Sequence, residues 1–198
     1  GARVLVRREL AAPELLGLLP TDALDAVAGI RKLRIVETRF DRLEAQAPVY
    51  AVDWVCCALG TTLRKAGSRA AFRQVDFDHP LQIAQLALAQ GAQRLMLVSA
   101  KGADARSPVF YNRTKGELEE ALRDLGFAHV SVAQPSLLKG PRAEFRLGER
   151  LALALGGLFP SAWKPVHADQ VAAGLLASGR EGLPGWHVLS NAALRRMR

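Results

Sequence analysis

A strand, a loop and a helix are written, in that order, into residues Leu95 to Leu125. Leu95-Met96-Leu97-Val98 is an apolar, β-favouring run that ends on Ser99. Small polar residues follow, interrupted by Pro108, and then a helical pattern begins. Within it Tyr111 and Lys115 are four residues apart, which puts them on one helix face about one turn apart. An ammonium beside a phenol favours the ionised phenol, because opposite charge at short range lowers an acid's pKa. A hydroxyl presented from the strand end could share one substrate oxygen with that phenol. Such an arrangement suits proton transfer to or from a carbonyl or alcohol oxygen. The blander reading of the same residues makes Tyr111 a packing residue and Lys115 a solvated charge.

The remaining features set bounds around that stretch. At 198 residues the chain has room for one α/β domain with a substantial core. Hydrophobic residues at 49% and charged residues at 23% are those of an ordinary globular protein. Leu151 to Phe159 is the longest apolar run and is too short to cross a bilayer. No signal-peptide pattern opens the chain, so the cytoplasm is the expectation. Cys56 and Cys57 are adjacent in an apolar strand, where a disulfide is geometrically disfavoured, and they read as reduced core thiols. His79, His129, His167 and His187 are too scattered to make a metal site. The net charge of +8 could serve nucleic acid or an anionic membrane, but the arginines are spread and only Arg195-Arg196-Met197-Arg198 is a cluster. A solvated basic face, with some attraction for a phosphate-rich cofactor, is the expectation.

Along the chain, Arg3 to Val6 reads as a short buried strand followed by Arg7 and Arg8. Ala11 to Leu19 and Asp22 to Ile30 suit short helices, Leu33 to Glu37 a strand, and Asp41 to Gln46 a helical turn. Ala51 to Ala58 is nearly continuously apolar, as in a strand covered on both faces. Leu63 to Arg73 is polar and basic, with Gly67 in its middle, and suits a mobile segment at the mouth of a site or, as such composition more often means, a surface loop. A helix is expected over Val75 to Gln90, ended by Gly91. Gly126 ends the helix that carries Tyr111, and His129 to Gln134 forms a further strand. Glu144 to Leu155 is an amphipathic helix, a helix runs from Val166 through Ala177, and Trp186 to Leu189 is strand-like. Gly179, Gly182 and Gly185 have a Gly-x-x-Gly-x-x-Gly spacing. They follow a helical pattern and precede a strand, the reverse of a dinucleotide-binding turn, and so read as a connecting loop.

Ser99 followed by Tyr111-Asn112-Arg113-Thr114-Lys115 resembles the Ser…Tyr-x-x-x-Lys site of the short-chain dehydrogenases/reductases. Cys56 to Thr62, Val98 to Asp104 and Tyr111 to Glu117 resemble, more narrowly, the atypical branch that includes the Tat-interacting tumour-suppressor-like group and its bacterial relatives. The likeness runs from about Val52 to Glu149. A bare Tyr-x-x-x-Lys is a weak signal; a strand ending in serine upstream, and a Leu-Gly-Thr-Thr turn before that, make it much stronger.

The resemblance implies a doubly wound, mostly parallel, Rossmann-like sheet in a single domain, residues 1–198, with 139–198 on the substrate side of the pocket. It implies NADP(H) in preference to NAD(H), because Arg7 and Arg8 stand where a basic residue meets the 2′-phosphate; the alternative is that they are surface arginines. Leu59, Gly60 and Thr61 would lie along the adenosine and phosphates. Pro135, Ser136 and Leu137 would cover the nicotinamide, with Gln134 where relatives usually carry arginine. Tyr111 would be general acid/base, Lys115 would favour its phenolate and hold the ribose, and Ser99 would position the substrate oxygen. Asp76 departs from the asparagine that many relatives use to support the lysine. The family's first strand and glycine-rich turn find no match before Val4. Either roughly 30 residues, one βα unit, are missing, or Arg3 to Val6 is a degenerate first strand; the first is the expectation. The function implied is an oxidoreductase acting on a small carbonyl or alcohol, with a cofactor-binding regulatory or scaffold protein as the alternative. The partners implied are a small-molecule substrate and neither membrane nor nucleic acid; a homodimer or a protein partner stays open.

Overall fold

The computed structural model describes residues 2–7, 33–139 and 164–197. Arg8, the two helices expected between Ala11 and Ile30, the helix expected over Glu144 to Leu155 and Trp163 lie outside the described residues.

Every strand pairing among the described residues is parallel. Strands β3 (Trp54–Cys57), β4 (Arg94–Val98), β5 (His129–Gln134) and β8 (Gly185–Ser190) form one sheet in that order. Strands β1 (Ala2–Arg7) and β2 (Leu33–Thr38) pair with each other, and β6 (Leu138–Lys139) with β7 (Val166–His167). Parallel neighbours need long crossovers, and helices supply them here. After β3 come the short helices α1 (Leu63–Ala66) and α2 (Arg69–Arg73), then a π-helical turn (Gln74–Asp78) that runs into α3 (His79–Ala89). Helix α4 (Phe110–Arg123) connects β4 to β5, and α5 (Ala168–Glu181) precedes β8.

Alternation along the central strands separates two cores, since successive side chains of a strand point to opposite faces. Leu95 and Leu97 of β4 join Val130 and Val132 of β5 against Ile83, Ala87, Leu118 and Leu122 of α3 and α4. Met96 and Ala133 face the other way, against Val171 and Leu175 of α5. Helices on both faces of a parallel sheet make this the doubly wound α/β architecture expected from the sequence.

Several local expectations change. The strand expected over Ala51 to Ala58 shortens to Trp54–Cys57, and Cys56 is exposed while Cys57 is buried, so only one of the two free thiols is a core residue. The turn expected at Asp41 to Gln46 is a 3-10 helix, Leu43–Tyr50. The loop expected from Leu63 to Arg73 is helical because its polar residues are caps. Thr62 accepts from Lys65 N, Ser68 accepts from Ala71 N, and Gly67 ends α1 at φ +77°. Gly179 lies inside α5 rather than in a loop: an added Cβ would come within 2.9 Å of the Trp54 ring and 3.0 Å of Met96 Sδ. Gly182 then ends that helix and Gly185 begins β8. His167 caps α5, its backbone N–H donating to Gln170 Oε1.

The π-helical turn has a cause in the sequence. Pro80 has no N–H to give the helix and its ring crowds the carbonyl four residues back. One residue earlier the ladder slips, and His79 N donates to Gln74 O, five residues back. The wider turn buries Asp76 at 1% exposure.

Candidate active site

Site residues gather at the carboxyl ends of β3, β4 and β5, where ligands bind in open parallel sheets. Residues Leu59, Gly60 and Thr61 follow β3. Thr61 N donates to Asp76 Oδ2 at 2.8 Å, which ties the turn to the π-helical segment. Lys115 Nζ lies 2.7 Å from Asp76 Oδ1, an ionic contact between side chains 4% and 1% exposed. Gly60 sits against this pair: an added Cβ would be 3.4 Å from Asp76 Oδ1 and 3.8 Å from Lys115 Nζ.

Ser99 follows β4 and is buried, its N–H donating to Ala133 O at 2.8 Å. Its hydroxyl donates to Oε1 of Glu119, one turn beyond Lys115 on α4. Gln134, at the end of β5, donates through Nε2 to both Glu119 oxygens at 3.0 Å. Burial pushes the Glu119 carboxyl above the ordinary carboxylate range, while hydrogen bonds from Ser99 and Gln134 and the charges of Arg123 and Lys115 pull the other way. Burial likewise raises the Cys57 thiol, which keeps it neutral.

Tyr111 lies on the first turn of α4, half-buried, its ring 5.7 Å from that of Phe72. Pro135 is buried, and its carbonyl accepts from Lys101 N at 2.9 Å, joining the turn after β5 to the loop after Ser99. Ser136 N donates to Asn191 Oδ1 at 2.9 Å, and Leu137 O accepts from Val166 N at 2.8 Å. Arg7 closes β1; Arg8 lies outside the described residues.

Helix α4 therefore reaches two strand ends at once. Lys115 meets the turn after β3 through Asp76, and Glu119 meets the loop after β4 through Ser99. Gly116, between them, allows the approach: a Cβ there would overlap the backbone of Asp104 and Ala105. Around the helix, Arg73 pairs with Glu117 and stacks 4.0 Å over Phe77. Among the described residues no group of three or more His, Cys, Asp or Glu is placed to hold a metal ion. None of the described helices is long and apolar enough to cross a membrane.

Sequence reasoning missed Glu119, Gly116 and the pairing of Asp76. Glu119 continues the four-residue stripe begun by Tyr111 and Lys115, which was a usable signal. That spacing also describes a solvated ion pair on a helix surface, and only packing tells the two apart.

Comparison with known proteins agrees with this geometry. Rat HTATIP2 is 40% identical over 133 residues, 67% of this chain and 54% of that protein. FMP52 of Candida albicans, a protein called mitochondrial, is 36% identical over 139 residues, 67% of this chain and 61% of that one. The chain thus covers less than two thirds of the length of these curated relatives. No family model matches it. MoeE5, solved with UDP-glucose and NAD, superposes with a TM-score of 0.67 at 13% identity, covering 96% of this chain and 75% of that one. WbmG of Bordetella bronchiseptica, solved with NAD, gives 0.64 at 17%, covering 96% and 65%. At such identities the structures speak for the fold alone.

The doubly wound parallel sheet, with its polar cluster at the strand ends, defines a Rossmann-like fold. Within that fold, the likeness to HTATIP2 and FMP52, of which the chain spans 54% and 61%, supports the resemblance to the atypical short-chain dehydrogenases/reductases.

Proposed function

We propose that this protein is an NADP(H)-dependent oxidoreductase acting on a small carbonyl or alcohol. The observation that carries the reading is the placement of α4: the helix bearing Tyr111 and Lys115 is tied to the ends of both β3 and β4, beside Ser99. The residues present fit such a cofactor at two strand ends. On the adenosine and phosphate side Gly60 is exposed and leaves bare backbone next to a buried ammonium, and on the nicotinamide side the turn at Pro135 to Leu137 stands at the end of β5. A glycine-rich pyrophosphate turn has no counterpart among the described residues. Arg7, the last residue of β1, and Arg8, the next in sequence, are the reason for preferring NADP(H) over NAD(H), since an acidic residue there would favour the ribose hydroxyls.

When bound, the nicotinamide supplies the hydride chemistry. The chain's own part is orientation and the proton. Ser99 holds the substrate oxygen, Tyr111 gives or takes its proton, and Lys115, held by Asp76, sets charge beside the ribose. Residues 139–198 would form the substrate side of the pocket. A small-molecule substrate, a cytoplasmic location and either a homodimer or a protein partner complete the reading, although the FMP52 relative is called mitochondrial.

A second reading, a cofactor-binding regulatory or scaffold protein with little turnover, is favoured by the ion pair itself. Asp76 neutralises the ammonium on which the chemistry depends. NADPH binding to the full-length protein, followed by NADPH consumption over a panel of carbonyl compounds, separates the two. Tyr111→Phe is expected to keep binding and lose about 10²–10⁴-fold in turnover, the scale of a general acid. Tight binding without Tyr111-dependent turnover would establish the regulatory reading, and absence of binding would remove both.

A further inference from the structure

Glu119 is the buried side chain to which the proposed mechanism gives no task. It is 7% exposed, and the groups closing on it come from three elements. Ser99 after β4 donates to Oε1, and Gln134 of β5 donates to both oxygens at 3.0 Å. The charged groups that face it, Arg123 and Lys115, belong to α4 itself. Lys115 is already paired with Asp76. Both strands thus bring neutral partners to the carboxyl group.

A serine hydroxyl carries one proton and two lone pairs. While Glu119 is ionised it can only accept, so it takes the Ser99 proton. Ser99 then presents lone pairs alone to the pocket: it can accept from an alcohol but cannot donate to a carbonyl oxygen. When Glu119 takes a proton from solvent, its O–H can donate to Ser99 Oγ while its other oxygen still accepts from Gln134. The serine proton is then released toward the substrate. No covalent bond to carbon changes in this step; one proton is taken up and two hydrogen bonds reverse.

We propose that Glu119 is a positioning residue that sets the direction of the Ser99 hydroxyl: protonated, it makes Ser99 the donor a carbonyl substrate needs, and ionised, it makes Ser99 an acceptor suited to an alcohol. The proposal rests on the oxidoreductase reading of Ser99. Burial works in the same direction, since it favours the neutral carboxyl. Glu119 thereby couples the preferred direction of reaction to pH.

Two measurements on the full chain test it. The first needs no turnover: an infrared pH titration of wild type, Glu119→Gln and Ser99→Ala. A protonated-carboxyl band is expected to titrate above the ordinary glutamate range and to be missing from Glu119→Gln. In Ser99→Ala its midpoint should move upward, because one donor to the carboxylate is gone. A midpoint that ignores Ser99→Ala overturns the proposal. The second is the pH profile of kcat/KM for carbonyl reduction. Wild type is expected to lose about tenfold as pH rises through that midpoint, the scale of one hydrogen bond. In Glu119→Gln the amide oxygen faces Gln134 and its N–H faces Ser99, so this limb should vanish while any limb from Tyr111 stays. Persistence of the limb in Glu119→Gln overturns the proposal. A wild type inert toward every carbonyl would overturn the oxidoreductase reading instead, and the infrared titration would still decide the coupling of Glu119 to Ser99.

Discussion

Lys115 and Glu119 stand one turn apart on the same helix, and both are nearly inaccessible, at 4% and 7% exposure. The fold treats their charges in opposite ways. Lys115 meets a buried carboxylate at 2.7 Å, delivered by the π-helical turn ahead of Pro80. Glu119 meets a hydroxyl and an amide, and burial drives it toward the neutral acid. A buried charge is kept where a counter-ion is delivered to it at contact distance; at Glu119 the contacts are dipoles, the charges of Arg123 and Lys115 act on it more weakly, and burial shifts the balance toward the neutral acid. The resemblance to relatives sharpens the contrast. Asp76 stands where many of them carry neutral asparagine, and Gln134 where they usually carry arginine. This chain has a negative charge added beside the lysine and a positive one removed beside the glutamate.

The contrast can be broken, beginning with the substitution expected to do most harm. Gly116→Ala would press a methyl into the backbone of Asp104 and Ala105, and backbone cannot step aside as a flexible side chain can. Chemical denaturation is expected to show a loss of about 4 kcal/mol or more, the range reserved for frank steric conflict. Next comes Asp76→Ala, which strands the Lys115 ammonium in the interior and should cost about 3–5 kcal/mol. Asp76→Asn keeps an acceptor for Thr61 N–H and should cost visibly less. If neither variant is less stable than wild type, the ion pair contributes nothing.

The glutamate side calls for a subtler measurement. Its folded-state carboxyl is raised above the unfolded value, so its contribution to stability is fully present below the ordinary glutamate range. That contribution is lost as pH rises through the raised value. Glu119→Gln removes the titration. Its stability should run level across that window and exceed wild type at the alkaline end by on the order of 1 kcal/mol. A parallel fall in both proteins would assign the slope to some other group. The smallest effect is expected from Gln134→Arg. A guanidinium facing Glu119 pulls the carboxyl back down, and the decline of stability with pH should shrink by under about 1 kcal/mol. An unchanged decline would mean that the introduced guanidinium does not reach Glu119.

Much of this was legible before any coordinates. The run into Ser99, the helix of Tyr111 and Lys115, and the ends at Gly91 and Gly126 follow from local pattern, because period and turn chemistry are short-range properties, while the parallel α/β sheet was implied by the family resemblance. The basic segment from Leu63 to Arg73 was misread because Thr62, Ser68 and Gly67 were weighed as loop residues rather than as caps. The π-helical turn was also missed, although Pro80 was its visible cause. A proline near a helix start usually marks the start, and nothing local says that this helix began eleven residues earlier, at Arg69.

The amino-acid sequence by itself determined which element holds each candidate residue. A strand ends on Ser99 and a helix face carries Tyr111, Lys115 and Glu119 wherever the chain folds. Only the tertiary structure decided which partners those groups meet and how deeply they are buried. Ser99 meets Glu119 across twenty residues of chain, and Lys115 meets Asp76 across thirty-nine. Charge states inside a protein depend on burial and on partners brought from distant segments, and neither quantity exists until the layers close on one another.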